Sequence, residues 1–135
     1  MSKARAVVAG HAEFASGVVS AVVQITGRDD VFLSLSNRGM STQDVERALR
    51  EMVTPDDITV VFTDLPAGSC TMAARRLQRE RPALMVVTGT NLAILLDFVF
   101  SAEHEPAEAL RAGVEKGRAA LMITGSGPVG GSRAD

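Results

Sequence analysis

Short apolar runs alternate with segments of helical periodicity along this chain, and this alternation constrains the fold more than any other feature. The runs at residues 6–10, 31–36, 58–63 and 84–88 are rich in aliphatic side chains, which is typical of buried strands. A helical pattern follows each run. This order favours an α/β domain with an open, mainly parallel sheet that helices cover on both faces. We assume the common strand order 2-1-3-4.

Local signals place several helix ends and inner faces. Ser41 and Asp44 form a capping box before the second helix. Ser69 is predicted to cap the third helix. The spacing of apolar residues places Ile25 on the inner face of the first helix and Leu121 on that of the last.

The length of 135 residues fits one domain. We assign residues 1–124 to this domain and interpret residues 125–135, which are rich in Gly and Ser, as a flexible tail. The apolar piece Met122-Ile123-Thr124 follows the last predicted helix and can add a fifth strand at the edge of the sheet.

Charge and composition exclude several kinds of partner. The net charge is −2, so no basic field is expected to attract nucleic acid or an anionic membrane. The chain has no Trp or Tyr, which removes the usual platforms for base stacking. No run of about 20 apolar residues is present to insert into a bilayer. The single cysteine, Cys70, cannot form an internal disulfide, which indicates a cytoplasmic protein.

Two loops with chemically active side chains follow the first and third strands. His11 comes directly after residues 6–10, and Asp64, Gly68 and Ser69 come after residues 58–63. In a sheet of order 2-1-3-4 these loops meet where the strand order reverses, so we predict that they form one site. His11 would act as a nucleophile through one ring nitrogen, while Asp64 accepts the proton of the other. Gly68 and Ser69 would bind an anion at a helix N-terminus.

Each of these residues also has a plainer interpretation. His11 can be a polar loop residue and Asp64 a turn residue. Gly68 and Ser69 can be a simple helix cap. Other polar residues are interpreted as turn, cap or surface residues: Thr63, Asn91, Glu13, Glu103 and His104. Thr63 and Asn91 stand at or beside strand ends, so they could also line the rim of the same site. We predict no metal site and no cofactor, because the sequence has neither clustered His and Cys ligands nor a Gly-x-Gly-x-x-Gly or Walker-type loop.

Three short strings occur in an order and spacing that resemble a known family. Residues 8–17 read VAGHAEFASG, residues 62–70 read FTDLPAGSC, and residues 87–92 read VTGTNL. They are similar to the strand that ends at the phosphorylated histidine, to Asp-Leu-x-Gly-Gly-Ser/Thr-Pro and to Gly-x-Asn-Leu-Pro. These are signatures of the enzyme IIA component of mannose-family sugar phosphotransferase systems. The resemblance covers about residues 5–124.

The resemblance implies a phosphotransferase role. His11 would accept phosphate from the phosphocarrier HPr and pass it to a IIB protein or domain for sugar uptake. Asp64 would orient the imidazole, and Gly68 and Ser69 would hold the phosphoryl oxygens. The family is usually a homodimer in which a C-terminal strand, here residues 122–124, crosses to the other subunit. The strings at residues 14–17 and 88–92 look most like the branch for N-acetylgalactosamine or galactosamine.

Four positions depart from the family pattern. Ala12 replaces a Gly beside the histidine, Ala67 replaces the first loop Gly, Cys70 replaces a Pro, and Ala93 stands where the third signature has Pro. Ala67 would resist a positive φ if the loop required one there.

Two other functions remain open at this point. A regulatory phosphohistidine protein would carry phosphate on the same residue without feeding transport. A flavodoxin-like module that binds a small ligand would use the same loops without covalent chemistry.

Overall fold

The computed structural model of the protein describes residues 3–128, which form four strands and five helices. The strands are β1 (Ala6–Gly10), β2 (Phe32–Ser36), β3 (Val60–Thr63) and β4 (Met85–Val87). The helices are α1 (Phe14–Thr26), α2 (Thr42–Val53), α3 (Ser69–Glu80), α4 (Leu92–Val99) and α5 (Pro106–Ala119).

The sheet has the predicted order, β2-β1-β3-β4, and every neighbouring pair is parallel. Ala9, the residue before the last of β1, pairs with Thr63, the last residue of β3. Gly10 pairs with Ser36 on the other side of β1. The carboxyl ends of β1, β2 and β3 therefore lie side by side at one edge of the sheet.

Successive residues of β1 face opposite sides of the sheet, and both sides are buried. Ala6 and Val8 belong to one apolar cluster, while Val7 and Ala9 belong to the other. The first cluster includes Val22, Leu95 and Leu110 from α1, α4 and α5. The second includes Val45, Leu49, Ala73 and Leu77 from α2 and α3. A parallel sheet with helices on both faces is confirmed.

Aromatic packing anchors β3 just before the loop that follows it. Phe62 is fully buried and lies edge-on to the rings of Phe32 and Phe98, at centroid distances of 6.0 and 5.3 Å. These three side chains fix the end of β3 against β2 and α4, so the residues after Thr63 leave a rigid strand.

The capping box is confirmed, whereas two predicted core positions are wrong. Ser41 Oγ accepts the N–H of Asp44, and the Asp44 carboxylate accepts the N–H of Ser41. Ile25 is exposed, because it lies one turn beyond Val22, the last residue of α1 in the core. Leu121 is exposed because α5 ends at Ala119, before the helical pattern reaches it.

Residues 122–124 form no strand in the sheet of their own chain. Of the tail predicted to be flexible, residues 125–128 are exposed and residues 129–135 lie outside the described range. None of the helices within residues 3–128 has the length and apolar character needed to cross a membrane.

Candidate functional site

The side chains of His11 and Asp64 meet at the carboxyl ends of β1 and β3. Each residue directly follows its strand, and the two strands are neighbours. One oxygen of Asp64, Oδ2, accepts the backbone N–H of His11 at 2.9 Å and lies 2.7 Å from ring nitrogen Nδ1. The His11 side chain is 53% exposed, while that of Asp64 is 11% exposed. The ring of His11 is therefore open to solvent, while the mostly buried Asp64 carboxylate holds it through Nδ1.

The carboxylate determines which ring nitrogen is free. An ionised carboxylate only accepts hydrogen bonds, so the proton lies on Nδ1 of His11 and the lone pair on Nε2. Partial burial raises the pKa of the Asp64 carboxyl, but hydrogen bonds from the ring and backbone of His11 lower it more, and it lies below its usual range. Asp64 is therefore ionised at neutral pH, and Nε2 makes no hydrogen bond within residues 3–128.

Two glycines permit this close approach. A Cβ on Gly10 would lie 2.8 Å from the ring of Phe14 and 2.9 Å from Oδ2 of Asp64. Gly68 has a φ of +142°, which favours glycine, and a Cβ there would lie 3.4 Å from Cε1 of His11. The loop after β3 therefore lies directly against the imidazole.

The predicted cap at Ser69 is wrong, because Gly68 is the N-cap and Ser69 is the first residue of α3. The positive φ of Gly68 turns the chain into the helix without a side-chain cap. The first helical hydrogen bond joins the Met72 N–H to the Gly68 carbonyl, so the N–H groups of residues 69–71 precede the helical ladder. They remain available to an anion at the positive end of the helix dipole.

Asn37, which the sequence analysis did not single out, contributes to the same site. Its Nδ2 donates a hydrogen bond of 2.8 Å to Oγ of Ser69. Because this bond uses a lone pair of Oγ, the hydroxyl proton of Ser69 can point to a bound anion. Asn37 directly follows β2, which is the other neighbour of β1. The strand-end rule that selected His11 and Asp64 could have selected it too.

Buried threonines brace the loop between β3 and α3. Thr71 Oγ1 donates to the carbonyl of Leu65 and lies 2.7 Å from Oγ1 of Thr63. Thr90 Oγ1 donates to the carbonyl of Thr63 at 2.7 Å. Thr63 is thus a buried structural residue, and Asn91 caps α4 by accepting the N–H of Ile94. No sequence signal marks the roles of Thr71 and Thr90.

The departures from the family pattern have distinct effects on the site. Ala67 does not have a positive φ, so the loop does not require at this position the conformation that alanine would resist. Ala12 has a φ of +48°, a left-handed conformation that costs an alanine roughly 1–2 kcal/mol. Burial, with a smaller effect of the Asp64 charge, raises the pKa of the Cys70 thiol to about 11. Cys70 therefore remains a neutral, buried thiol.

The remaining polar residues do not join His11. Glu13 is exposed and forms an ion pair of 3.0 Å with Arg38, and Glu103 is exposed. His104 is exposed and lines a cavity with Arg5 and residues that precede β3, at the opposite end of the sheet. Within residues 3–128 no group of three or more His, Cys, Asp or Glu side chains is arranged to hold a metal ion.

The fold and the site together define a class of protein: an open α/β domain that presents an exposed, carboxylate-bound histidine beside a helix N-terminus. Residues 5–115 match the family model EIIA-man, described as "PTS system fructose IIA component". The chain belongs to this family of phosphotransferase-system IIA components. No curated protein matches the chain by sequence.

Solved structures of similar fold are found in several bacteria. A putative phosphoenolpyruvate-dependent sugar phosphotransferase system permease from Klebsiella pneumoniae has a TM-score of 0.77 at 22% identity, over 90% of this chain and 91% of that chain. A mannose/sorbose-specific IIA subunit from Enterococcus faecalis has a TM-score of 0.78 at 19% identity, covering 94% and 98%. The EIIA component from Streptococcus agalactiae has a TM-score of 0.74 at 24% identity, covering 91% and 97%. At these identities the similarity establishes the fold.

We predict that the neutral ring of His11 is held in the tautomer protonated at Nδ1, because Oδ2 of Asp64 accepts that proton. Long-range ¹H–¹⁵N spectra at alkaline pH, where imidazoles are neutral, should show a protonated Nδ1 and an unprotonated Nε2 for His11. His104 makes no side-chain hydrogen bond within residues 3–128, so it serves as the internal control with the tautomer mixture of free histidine. Asp64→Ala should give His11 the same mixture. Identical patterns for the two histidines in the wild type would contradict the prediction.

Proposed function

We propose that the protein is a phosphoryl carrier of a sugar phosphotransferase system, in which Nε2 of His11 accepts phosphate from phospho-HPr and passes it to a IIB protein. One observation carries the proposal: an exposed imidazole whose Nδ1 is bound by Asp64 lies beside the N-terminus of α3. Family membership supports the same role.

The proposed reaction balances without an added acid or base. The lone pair of Nε2 attacks phosphorus, and the bond from phosphorus to the donor nitrogen breaks, with its electron pair returning to the donor ring. His11 keeps its proton on Nδ1 throughout, so its phosphorylated ring is cationic. The Asp64 carboxylate at 2.7 Å stabilises this charge and keeps the ring aligned. Transfer to IIB reverses the same steps.

The residues at the start of α3 form the proposed cradle for the phosphoryl oxygens. The N–H groups of Ser69 and the two residues after it offer donors, and the Ser69 hydroxyl, oriented by Asn37, adds another. Gly68, whose φ of +142° favours glycine, turns the chain so that this helix end lies against the ring. In-line transfer depends mainly on such positioning and on neutralising charge, so the site needs no cofactor.

The exposure of His11 suits exchange between proteins. Two different partners must bring a phosphorus atom or an acceptor nitrogen to the same Nε2, and a half-exposed ring allows both to reach it. In this proposal the protein works in the cytoplasm and never contacts the sugar. The resemblance of residues 14–17 and 88–92 to one branch of the family predicts N-acetylgalactosamine or galactosamine as the sugar.

We predict that phosphoenolpyruvate, enzyme I and HPr transfer acid-labile, base-stable phosphate to the wild type but not to His11→Gln, because Nε2 of His11 is the nucleophile. His104→Gln is the matched control and should be labelled like the wild type. Release of label to a IIB protein distinguishes transport from a purely regulatory role. An unlabelled wild type would favour a non-covalent binding module instead. Loss of label in His104→Gln would indicate that His104, and not His11, carries the phosphate.

We predict that Asp64→Asn slows phosphate transfer by about 10- to 100-fold without abolishing it, because the nucleophile stays while the ring loses its alignment. Rapid-quench measurement of labelled protein gives the rate. Asp97→Asn is a suitable control, since it removes a carboxylate that forms an ion pair of 2.7 Å with Lys116 on α5. Equal rates for Asp64→Asn and the wild type would remove Asp64 from the mechanism.

We also propose that the protein is a homodimer, in which residues 122–124 of one subunit join β4 of the other. Strand β4 lies at the edge of the sheet. A groove of about 440 Å³ beside it is lined mainly by apolar residues, including Val87, Leu110 and Val114, together with Arg111 and Glu115. Ile123 is 93% exposed in the single chain, which leaves an apolar segment without a covering partner among residues 3–128.

We predict that Ile123→Asp gives a monomer, because a carboxylate would have to be buried in the apolar groove beside β4. Size-exclusion chromatography with light scattering measures the mass, and unchanged thermal unfolding at low concentration shows that the fold is intact. Ser126→Asp adds the same charge at another exposed position and should leave a dimer. A monomeric wild type, or a dimeric Ile123→Asp, would refute this mode of assembly.

A further inference from the structure

The outward face of α3 carries four side chains on one stripe. Met72, Arg75, Arg76 and Arg79 recur at intervals of three and four residues and are all exposed. The buried side chains of the helix, among them Ala73 and Leu77, lie on the opposite face. We call this stripe the α3 arginine face.

The three guanidinium groups of this face have no carboxylate partner within residues 3–128. Several other arginines do pair with carboxylates, such as Arg50 with Glu46 and Glu80, and Arg38 with Glu13. Because the whole chain has a net charge of −2, the α3 arginine face is a local positive region on an otherwise slightly acidic protein.

The α3 arginine face begins next to the proposed phosphate site. Met72 lies one helical turn after Gly68, where an added Cβ would lie 3.4 Å from Cε1 of His11. Arg79 follows seven residues later, so the face runs for roughly 10 Å away from the imidazole. Met72 and Leu65, the residue after Asp64, are each 51% exposed and add apolar surface at its near end.

We propose that the α3 arginine face docks an acidic face of a protein that exchanges phosphate with His11, an inference that rests on the proposed function. A partner must bring its exchanging side chain to Nε2, and its surface then covers the start of α3. Carboxylates beside that side chain would complement the three unpaired guanidinium groups. The adjoining Met72 and Leu65 offer the apolar contact that protein interfaces need and that a purely electrostatic lipid contact does not.

The expected contribution is to association more than to chemistry. Exposed charges attract a complementary partner over several ångströms and are screened by salt. Their loss should lower kcat/KM for the partner while kcat at saturating partner stays unchanged, because none of the three arginines is part of the phosphate cradle.

The test compares Arg75→Gln/Arg76→Gln with Lys3→Glu. Each change lowers the net charge by two, since two arginines lose one charge each and one lysine reverses its charge. Glutamine preserves helix propensity. Lys3 precedes β1, at the opposite end of the sheet from His11. Phosphate transfer is measured from phospho-HPr to the protein, and from the phosphorylated protein to its IIB partner, at low and high salt.

We expect the double variant to lose about three- to tenfold in kcat/KM at low salt in at least one direction, with a smaller loss at high salt. Lys3→Glu should match the wild type. Unchanged kcat/KM and salt dependence in both directions, or an equal loss in Lys3→Glu, would overturn the proposal while leaving the carrier function intact. A wild type that takes up no phosphate would overturn both proposals.

The same variants test whether the α3 arginine face binds a lipid surface instead of a protein. Flotation with vesicles that contain phosphatidylglycerol should show no binding of the wild type. Binding that is lost in Arg75→Gln/Arg76→Gln but kept in Lys3→Glu would overturn protein docking in favour of a membrane contact.

Discussion

A single carboxylate oxygen fixes both the loop and the ring on which the site depends. Oδ2 of Asp64 accepts the backbone N–H and contacts Nδ1 of the same residue, His11. Because β1 and β3 are adjacent and parallel, this oxygen spans the ends of two strands whose positions the core already determines. The conformation of the loop, the orientation of the imidazole and its tautomer therefore depend on one another. A ring held only through its side chain would lack this coupling to the backbone.

The backbone around this oxygen favours glycine at two positions, and it strains the alanine that stands at a third. Gly10 leaves room for Oδ2 of Asp64, and Gly68 adopts a φ of +142° that favours glycine. Ala12 adopts a left-handed conformation directly after the histidine. Residues in such conformations persist only where surrounding contacts determine the backbone, which here is the hydrogen bond from the His11 N–H to Asp64. The strained residue thus lies beside His11, the proposed nucleophile.

The sequence was sufficient to predict the elements and the pairing of His11 with Asp64, because both follow from strand order and the position of strand ends. It was not sufficient where side-chain direction decides the outcome. The end of β2 places Asn37 at the same edge of the sheet as Ser69, but the hydrogen bond between their side chains depends on side-chain direction. The N-cap of α3 was predicted one residue too late, at Ser69 instead of Gly68, because a φ of +142° at Gly68 cannot be read from periodicity. Leu121 continues the helical pattern in sequence, but the helix ends before it.

The net charge of the chain argues against nucleic acid as a partner, but it conceals the distribution of charge that bears on a protein partner. Along the proposed path the signs alternate: the Asp64 carboxylate, the imidazolium formed on phosphorylation, the phosphoryl group, and then the positive end of α3. The first arginines of the α3 arginine face come seven residues after Gly68, with Cα positions roughly 10 Å along the helix. A carrier must release its phosphate as readily as it binds it. In the proposed site, backbone N–H groups and one hydroxyl would bind the phosphoryl oxygens without a direct guanidinium contact. The arginines, placed farther along the helix, could then attract a partner without holding the phosphate too tightly.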